Sequence, residues 1–151
     1  MPVLERMQFI PAPPGQVFDF FSEARNLAAI TPKWLGFRMV TPHPIEMRRG
    51  ARIEYRISLH GVPLRWRTLI SEWNPPEGFK DVQVSGPYKL WEHEHRFEPA
   101  PGGTLMRDTV RYELPLGALG RLVERYWVRR DLQRIFDYRA ERIASLWRKT
   151  D

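Results

Sequence analysis

The spacing of apolar residues divides the chain into three parts. Residues 3–10 predict a first strand, and a proline-rich segment then leads into two short helical patterns. Apolar residues recur at every second position through most of residues 51–114, which predicts about five consecutive antiparallel strands. From Leu116 to Trp147 they recur at steps of three and four, which predicts one long amphipathic helix. This order of elements predicts an α+β fold.

The predicted C-terminal helix determines the expected architecture. At 1.5 Å per residue, a helix of roughly 25 to 30 residues is about 40 Å long, which is too long for a single strand pair. We therefore expect it to lie across a curved antiparallel sheet, with a cavity between the two layers and one domain over residues 1–151. The residues expected to pack on the sheet are Leu119, Val123, Leu132, Ile135, Phe136 and Ile143.

One predicted strand, residues 91–98, carries an unusual inner face. Alternation places two aromatic and two imidazole side chains on this face, Trp91, His93, His95 and Phe97, and charged residues on the other. A core strand would present Val, Ile and Leu, so this row indicates a surface that contacts something other than protein. The neighbouring strands extend the same face with Tyr55, Trp66, Met106 and Tyr112. Such a lining is typical of a small-molecule site, although the same side chains would also serve as packing under the helix.

The two histidines share their predicted face with a carboxylate. Asp108 lies on the following strand, within hydrogen-bond reach of one of the two imidazoles if residues 99–103 form a hairpin. A buried carboxylate beside an imidazole fixes the tautomer and favours the imidazolium, as in an acid/base pair. His93, His95 and Asp108 are therefore candidate catalytic residues, and the alternative is a buried polar pair that only anchors the strands.

Three further polar residues are expected near the cavity. Gln83 and Glu72 would face the same way as the histidines if the strand registers hold. Arg139 interrupts the apolar stripe of the last helix, where it would meet an acidic ligand group or Asp108, or lay its stem over the core with its head in solvent.

The His-x-His spacing is also compatible with a metal site, in which Asp108 or Glu72 would be a third ligand. The chain offers no unambiguous third ligand, because Glu92 and Glu94 point to the opposite face of the strand. We therefore predict neither a bound metal nor a cofactor. The chain contains no cysteine, which excludes thiolate metal sites and cysteine nucleophiles.

Charge and hydropathy limit the expected partners. The net charge is +6, but basic residues are interleaved with acidic ones, and the dense cluster from Arg121 to Arg142 follows the polar side of the predicted helix. No nucleic-acid partner is expected from this distribution. No stretch approaches the roughly 18 apolar residues of a membrane span, which together with the absence of cysteine predicts a cytoplasmic protein.

Several motifs, in this order, give the chain a family resemblance. They are Pro13-Pro14-Gly15-Gln16-Val17-Phe18-Asp19-Phe20-Phe21, Ile30-Thr31-Pro32-Lys33-Trp34-Leu35, Trp73-Asn74-Pro75-Pro76, Gly86-Pro87-Tyr88 with Trp91, His93, His95 and Phe97, and Ile135-Phe136-Asp137-Tyr138-Arg139. With them the chain resembles the START-like, helix-grip superfamily, also called SRPBCC or Bet v 1-like, and in particular its polyketide-cyclase-like members. The resemblance implies a curved antiparallel sheet wrapped around one long C-terminal helix, with two short helices after the first strand.

The resemblance also bears on function, because members of this superfamily bind lipids, sterols or polyketides, or catalyse cyclisation and hydrolysis. We expect a carrier or sensor of a hydrophobic small molecule, such as a lipid, sterol-like or aromatic polyketide compound. The alternatives are a cyclase, dehydratase or hydrolase that uses His93 or His95 with Asp108, and an interaction module that uses its basic helix face. The expected ligand-binding residues are Trp34, Tyr55, Trp66, Gln83, Trp91, His93, His95, Phe97, Met106, Asp108, Tyr112 and Arg139.

Overall fold

The computed structural model describes residues 2–42 and 45–147, which form a curved seven-stranded antiparallel sheet around a long C-terminal helix. The predicted α+β helix-grip fold, with two short helices after the first strand, is confirmed. The elements are β1 Val3–Ile10, α1 Pro14–Phe21, α2 Asn26–Ala29, β2 Arg38–Met39, β3 Arg52–Leu59, β4 Val62–Asn74, β5 Gly78–Ser85, β6 Leu90–Ala100, β7 Gly103–Glu113, α3 Gly117–Val123 and α4 Arg129–Leu146.

The sheet has the order β1-β7-β6-β5-β4-β3-β2. Strands β2 to β7 pair with their neighbours in the chain, and β1 joins at the far edge through an antiparallel register that runs from Val3 opposite Arg111 to Ile10 opposite Thr104. Strands β6 and β7 pair without a register shift, so alternation along them decides which of their side chains face the helix. Among the described residues, no helix is long and apolar enough to cross a membrane.

The C-terminal helix is continuous from Gly117 to Leu146, as the sequence predicts, but it contains a π turn at Glu124–Val128. In α4 the apolar face packs as expected, with Leu132 and Ile143 buried. The prediction that Leu119 packs on the sheet is wrong, since Leu119 is 57% exposed. At about 100° per residue, Leu119 lies roughly 220° around even a regular helix from Leu132, so the two residues do not share one face.

A β-bulge corrects a second expectation. The register of β4 against β5 shifts between Ile70 and Glu72, so alternation does not continue through this point. Glu72 consequently faces outward, where its carboxylate lies 3.6 Å from the Lys80 ammonium. Trp73 turns inward instead, and its ring centroid lies 4.9 Å from that of Phe18. The prediction that Glu72 shares the inner face with the histidines is therefore wrong.

Two apolar clusters fill the space between the sheet and the helices. The α1 cluster contains buried residues of α1, the strands and α4, among them Val17, Phe18, Phe79, Phe97, Met106 and Ile143. The tryptophan cluster contains Trp66, Trp91, Val110, Tyr112, Leu132 and Phe136. Strand β6 contributes Trp91 to one cluster and Phe97 to the other, so the intervening inward residues His93 and His95 lie between the two.

Candidate functional site

A cavity of about 260 Å³ lies between the sheet, the short helices and the C-terminal helix. Its volume is close to the lower end of the roughly 300 to 1,000 Å³ that is usual for ligand pockets. The sheet and the turn before β6 supply the aromatic lining, which consists of Tyr55, Trp66, Tyr88 and Trp91. The C-terminal helix faces these rings with Val128, Leu132, Ile135 and Phe136. The short helices add Phe20, Phe21 and Leu27, and Ile30 follows directly after α2.

The aromatic wall is built from cross-strand and turn contacts. Trp66 of β4 stacks on Tyr55 of β3, opposite to it in the register, with ring centroids 5.9 Å apart. Trp91 of β6 meets Trp66 edge to face at 5.1 Å, and Tyr88 of the preceding turn lies 4.9 Å from Trp91. The Trp66 indole N–H donates to the Thr68 hydroxyl, so its polar atom is satisfied within β4. The wall therefore presents largely apolar ring surface to the cavity.

The structure brings five of the predicted ligand-binding residues onto the cavity wall: Tyr55, Trp66, Trp91, His93 and Arg139. Phe97 and Met106 are instead buried in the α1 cluster, and Tyr112 in the tryptophan cluster. Strand alternation identified their inward direction correctly, but the surrounding apolar side chains enclose them.

Two more predicted residues lie away from the cavity lining. Trp34 is 41% exposed, and its ring packs under the Arg134 guanidinium at 4.7 Å. Gln83 folds back on the turn after β5, where its amide donates to the Tyr88 carbonyl and accepts from the Tyr88 backbone N–H. Gln83 thus shapes the turn that carries Tyr88, rather than facing the cavity itself.

Beside the cavity lies a polar cluster, which we define as Asp81, His93, His95, Asp108 and Arg139. His93 Nε2 lies 2.9 Å from Asp108 Oδ1, and His95 Nε2 lies 2.7 Å from Asp81 Oδ2. Each carboxylate is directly opposite one imidazole in the register and bonds to the other one diagonally. His93, Asp81 and Arg139 line the cavity, whereas His95 and Asp108 lie behind them.

Sequence reasoning did not identify Asp81 as a site residue. It has the same alternation phase as Phe79 and Gln83 in β5, and it is opposite His93 in the register. That phase was a usable signal, because the rule that placed Gln83 on the inner face also places Asp81 there. The structure thus provides each of the two cluster histidines with its own aspartate.

The imidazole rings are held by stacking as well as by hydrogen bonds. The rings of His93 and His95 are stacked with centroids 3.7 Å apart, and Phe79 stacks on His95 at 4.1 Å. Phe136 of α4 meets His93 edge to face at 5.6 Å. These contacts fix the ring planes, and the carboxylates then select which nitrogen carries the bonded proton.

The pKa values of the cluster are shifted in opposite directions. Burial, aided by the nearby His95, lowers the pKa of His93 to about 4. Burial also lowers the pKa of His95, but the Asp108 and Asp81 carboxylates outweigh it, and the net shift is upward. Burial raises the pKa of Asp108, yet Arg139 and the two imidazoles outweigh this and hold it well below its usual range.

For Asp81, burial raises the pKa, but the hydrogen bond from His95 and the neighbouring positive charges bring it below its usual value. Near neutral pH the cluster therefore holds two carboxylates, one neutral imidazole at His93 and the Arg139 cation. The direction of the His95 shift favours an imidazolium there. With that proton in place, two negative and two positive charges balance inside the protein.

Asp81, His93 and His95 place potential metal-ligand atoms within 4.8 Å of one another. Nitrogen and carboxylate ligands suit several transition metals. However, the imidazole planes are stacked only 27° apart, so lone pairs that lie in those planes do not converge on one point. Both Nε2 atoms already bond to carboxylates, and the Arg139 guanidinium adds a positive charge at Asp108. This arrangement fits a polar network better than a metal centre, and the absence of a bound metal remains a prediction.

Solved structures with the same fold come from distant organisms. A protein from Thermus thermophilus is 21% identical, with a TM-score of 0.68 over 96% of this chain and 99% of that chain. A ginseng major latex-like protein from Panax ginseng is 12% identical, with a TM-score of 0.70 over 98% of each chain. A protein from Mycobacterium smegmatis is 16% identical, with a TM-score of 0.69 over 95% of this chain and 89% of that one. At these identities the likeness shows the fold alone.

No curated protein matches this chain in sequence. The sequence profile of one family does match it, over residues 10–138, which include every element from α1 to most of α4. That family is described as polyketide cyclase/dehydrase and lipid transport. Together with the helix-grip architecture, this match shows that the chain belongs to the polyketide cyclase/dehydrase and lipid transport family of the START-like (SRPBCC, Bet v 1-like) superfamily.

Proposed function

We propose that this protein is a carrier or sensor that binds a hydrophobic small molecule in the cavity between the sheet and the C-terminal helix. The observation that carries the proposal is the aromatic wall of Tyr55, Trp66, Tyr88 and Trp91, which lines the cavity. Apolar surface gains roughly 25 cal/mol for each Å² removed from water. An apolar ligand that covers this wall would therefore be stabilised mainly by burial.

The volume bears on the class of ligand. About 260 Å³ suits a molecule of modest size, such as a compact aromatic polyketide or a medium-chain lipid. We therefore favour aromatic and medium-chain compounds among the hydrophobic classes expected for the family.

Binding is testable through the tryptophans themselves. Native mass spectrometry of the purified protein would identify a retained ligand, and tryptophan fluorescence would follow its displacement and rebinding. We expect Trp91→Ala to weaken binding by about 1 to 3 kcal/mol, since a ring contact and its buried area are lost. Trp127→Ala is the matched control, because Trp127 is 61% exposed and lies outside the cavity lining.

A variant that fills the cavity should block ligand binding without removing side chains that pack the core. Ile135 lines the cavity from α4, so Ile135→Trp should occupy the space and exclude ligand without leaving a void. Leu119→Trp places the same side chain on the exposed face of the helix and should leave affinity unchanged. Equal affinities in all of these variants, across fatty acids, sterols and aromatic polyketides, would remove the support for this function.

A second candidate function is an acid/base enzyme, and the His93–Asp108 hydrogen bond beside the cavity is the observation that favours it. A general base works best when its pKa is near the operating pH, and the lowered pKa of His93 makes it a weak base. This is why we place binding first. An enzyme would lose rate by about 10²-fold or more in His93→Gln, whereas a carrier would change only modestly in affinity.

A further inference from the structure

Arg139 is a buried cation whose hydrogen-bonding capacity is largely unused. It is 7% exposed, lines the cavity, and donates a hydrogen bond from Nη2 to Asp108 Oδ1 at 3.3 Å. Its Nε atom is buried and has no hydrogen-bond partner in the part of the chain that the structure describes. A guanidinium is a planar fork of N–H donors that suits two parallel bonds to an oxyanion. Arg139 therefore has donors free for another acceptor.

Asp108 does not complete this fork, because its Oδ1 atom also bonds to the His93 imidazole. Asp108 Oδ1 is 2.9 Å from His93 Nε2 and 3.4 Å from His95 Nδ1, in addition to its contact with Arg139. The arginine contact is a single and rather long bond, not a bidentate pair. Buried donors without acceptors are costly, so an acceptor placed against Arg139 would satisfy hydrogen-bonding capacity that Asp108 leaves unused.

The guanidinium is also held in place. Its central carbon lies 5.3 Å from the ring centroid of Phe21 and 5.5 Å from that of Phe136. Both rings line the same cavity, so the cation is positioned by α1 and by its own helix at the cavity wall. A donor fixed in this way loses little conformational entropy when a ligand binds.

We propose that the ligand of this cavity is amphipathic, with an apolar body against the aromatic wall and one anionic oxygen group, such as a carboxylate, bound by Arg139. The inference rests on the proposed binding function and adds the chemistry of the ligand's polar end. Asp81 lines the same cavity, and its pKa lies below the usual value. Its negative charge disfavours an acidic group on the Asp81 side and favours neutral or hydrogen-donating groups there, so the single acidic group is expected at Arg139.

Matched acid and alcohol probes test the inference in the unaltered protein. The pairs are 3-phenylpropanoate with 3-phenylpropanol, and octanoate with octanol, measured by titration calorimetry at neutral pH. We expect each acid to bind about ten- to a hundredfold more tightly than its alcohol, because a charge-assisted hydrogen bond to Arg139 exists only for the acid. Equal affinities of acid and alcohol would overturn the inference while leaving the proposed function intact.

Variants then assign the difference to Arg139. Arg139→Met keeps an apolar stem between Phe21 and Phe136, and it should reduce acid affinity to that of the alcohol while leaving alcohol affinity within about threefold. Arg139→Lys keeps the charge without the fork, and it should retain part of the preference. Arg130→Met is the control, since Arg130 is exposed on the same helix.

The outcomes separate the two proposals. Loss of acid and alcohol binding together in a folded Arg139→Met protein would mean that Arg139 only shapes the cavity, and this would overturn the inference. If that variant does not fold, the comparison of acid with alcohol in the unaltered protein decides the question alone. Binding of neither probe pair, with no ligand retained by the purified protein, would defeat the proposed function and this inference with it.

Discussion

Asp108→Asn is the most informative single substitution in the polar cluster. Asp108 is 3% exposed, and its Oδ1 atom contacts His93, His95 and Arg139. The substitution keeps the shape of the side chain but removes the negative charge that faces a buried guanidinium. Breaking a buried ion pair by neutralising one partner costs about 3 to 5 kcal/mol, because the other charge stays buried without compensation. We expect a loss of stability in this range.

The chain offers a matched control in a second arginine–aspartate pair. Arg6 and Asp137 are only 2.6 Å apart, but their side chains are 33% and 61% exposed. Exposed pairs contribute roughly 0 to 1 kcal/mol, since water screens both charges. Asp137→Asn should therefore cost less than Asp108→Asn, even though its ion pair is the shorter one. Comparing the two variants therefore tests whether burial of an ion pair matters more for stability than the distance between its charged atoms.

Urea unfolding, followed by far-ultraviolet circular dichroism at neutral pH, measures both variants. With a slope of roughly 2 kcal/mol per M, a loss of 3 to 5 kcal/mol lowers the unfolding midpoint by about 1.5 to 2.5 M. The double variant Asp108→Asn with Arg139→Met should recover part of the loss, because it removes both charges. A cost for Asp108→Asn no greater than that for Asp137→Asn would refute the reasoning.

Three further predictions concern pH, metal content and backbone packing. The pKa of His93 is lowered from 6.5 to about 4, so as the pH falls the unfolded chain takes up this proton before the folded protein does. Stability should therefore decrease as pH drops from about 6.5 to about 4. Urea unfolding midpoints across this range should fall less in His93→Gln than in the unaltered protein. The pKa of His95 is raised, so its contribution to the stability of the fold is complete below about pH 6.5 and is lost as pH rises through its pKa in the folded protein. NMR titration of the two imidazoles should show that His95 titrates at a higher pH than His93. Elemental analysis should find no stoichiometric transition metal, and about one zinc, iron or manganese per chain that disappears in His93→Ala would contradict this. Gly78→Ala should destabilise by about 1 to 3 kcal/mol because its Cβ would collide with the His95 backbone carbonyl, whereas Gly15→Ala meets open space and should not.

Most of the fold follows from the period of the hydrophobic pattern. Alternation correctly predicted the inner face of β6 and the inward position of Asp108. A shift of one residue would turn the apolar side chains of such a strand toward solvent, so only one of its two faces can be the buried one. The helical pattern failed at Leu119, which is out of phase with Leu132 even in a regular helix. Alternation failed at Glu72, where a bulge inserts one residue into β4, and the pattern did not reveal the π turn in the helix. Neither insertion has a strong local sequence signal, since each is determined by how the element fits its neighbours.

The site was less accessible to sequence reasoning than the fold. Strand phase shows that a side chain points inward, but not whether it meets a cavity or protein atoms. Phe97 and Trp91 have the same phase on β6, yet only Trp91 reaches the open volume. That distinction depends on where α1 and α4 pack, which is a tertiary property. The pairing of Asp81 with His95 likewise required the register between β5 and β6, which the sequence does not specify by itself.

The π turn at Glu124–Val128 also bears on chain length. A chain one residue shorter at this point would form a regular α-helix, and α3 would then rotate by about 100° relative to α4. A different set of α3 side chains would turn toward the sheet, while Leu132, Phe136 and Arg139 would keep their places at the cavity. We therefore expect a single-residue deletion here to alter the contacts of α3 and of Val128, while α4 keeps its side of the cavity.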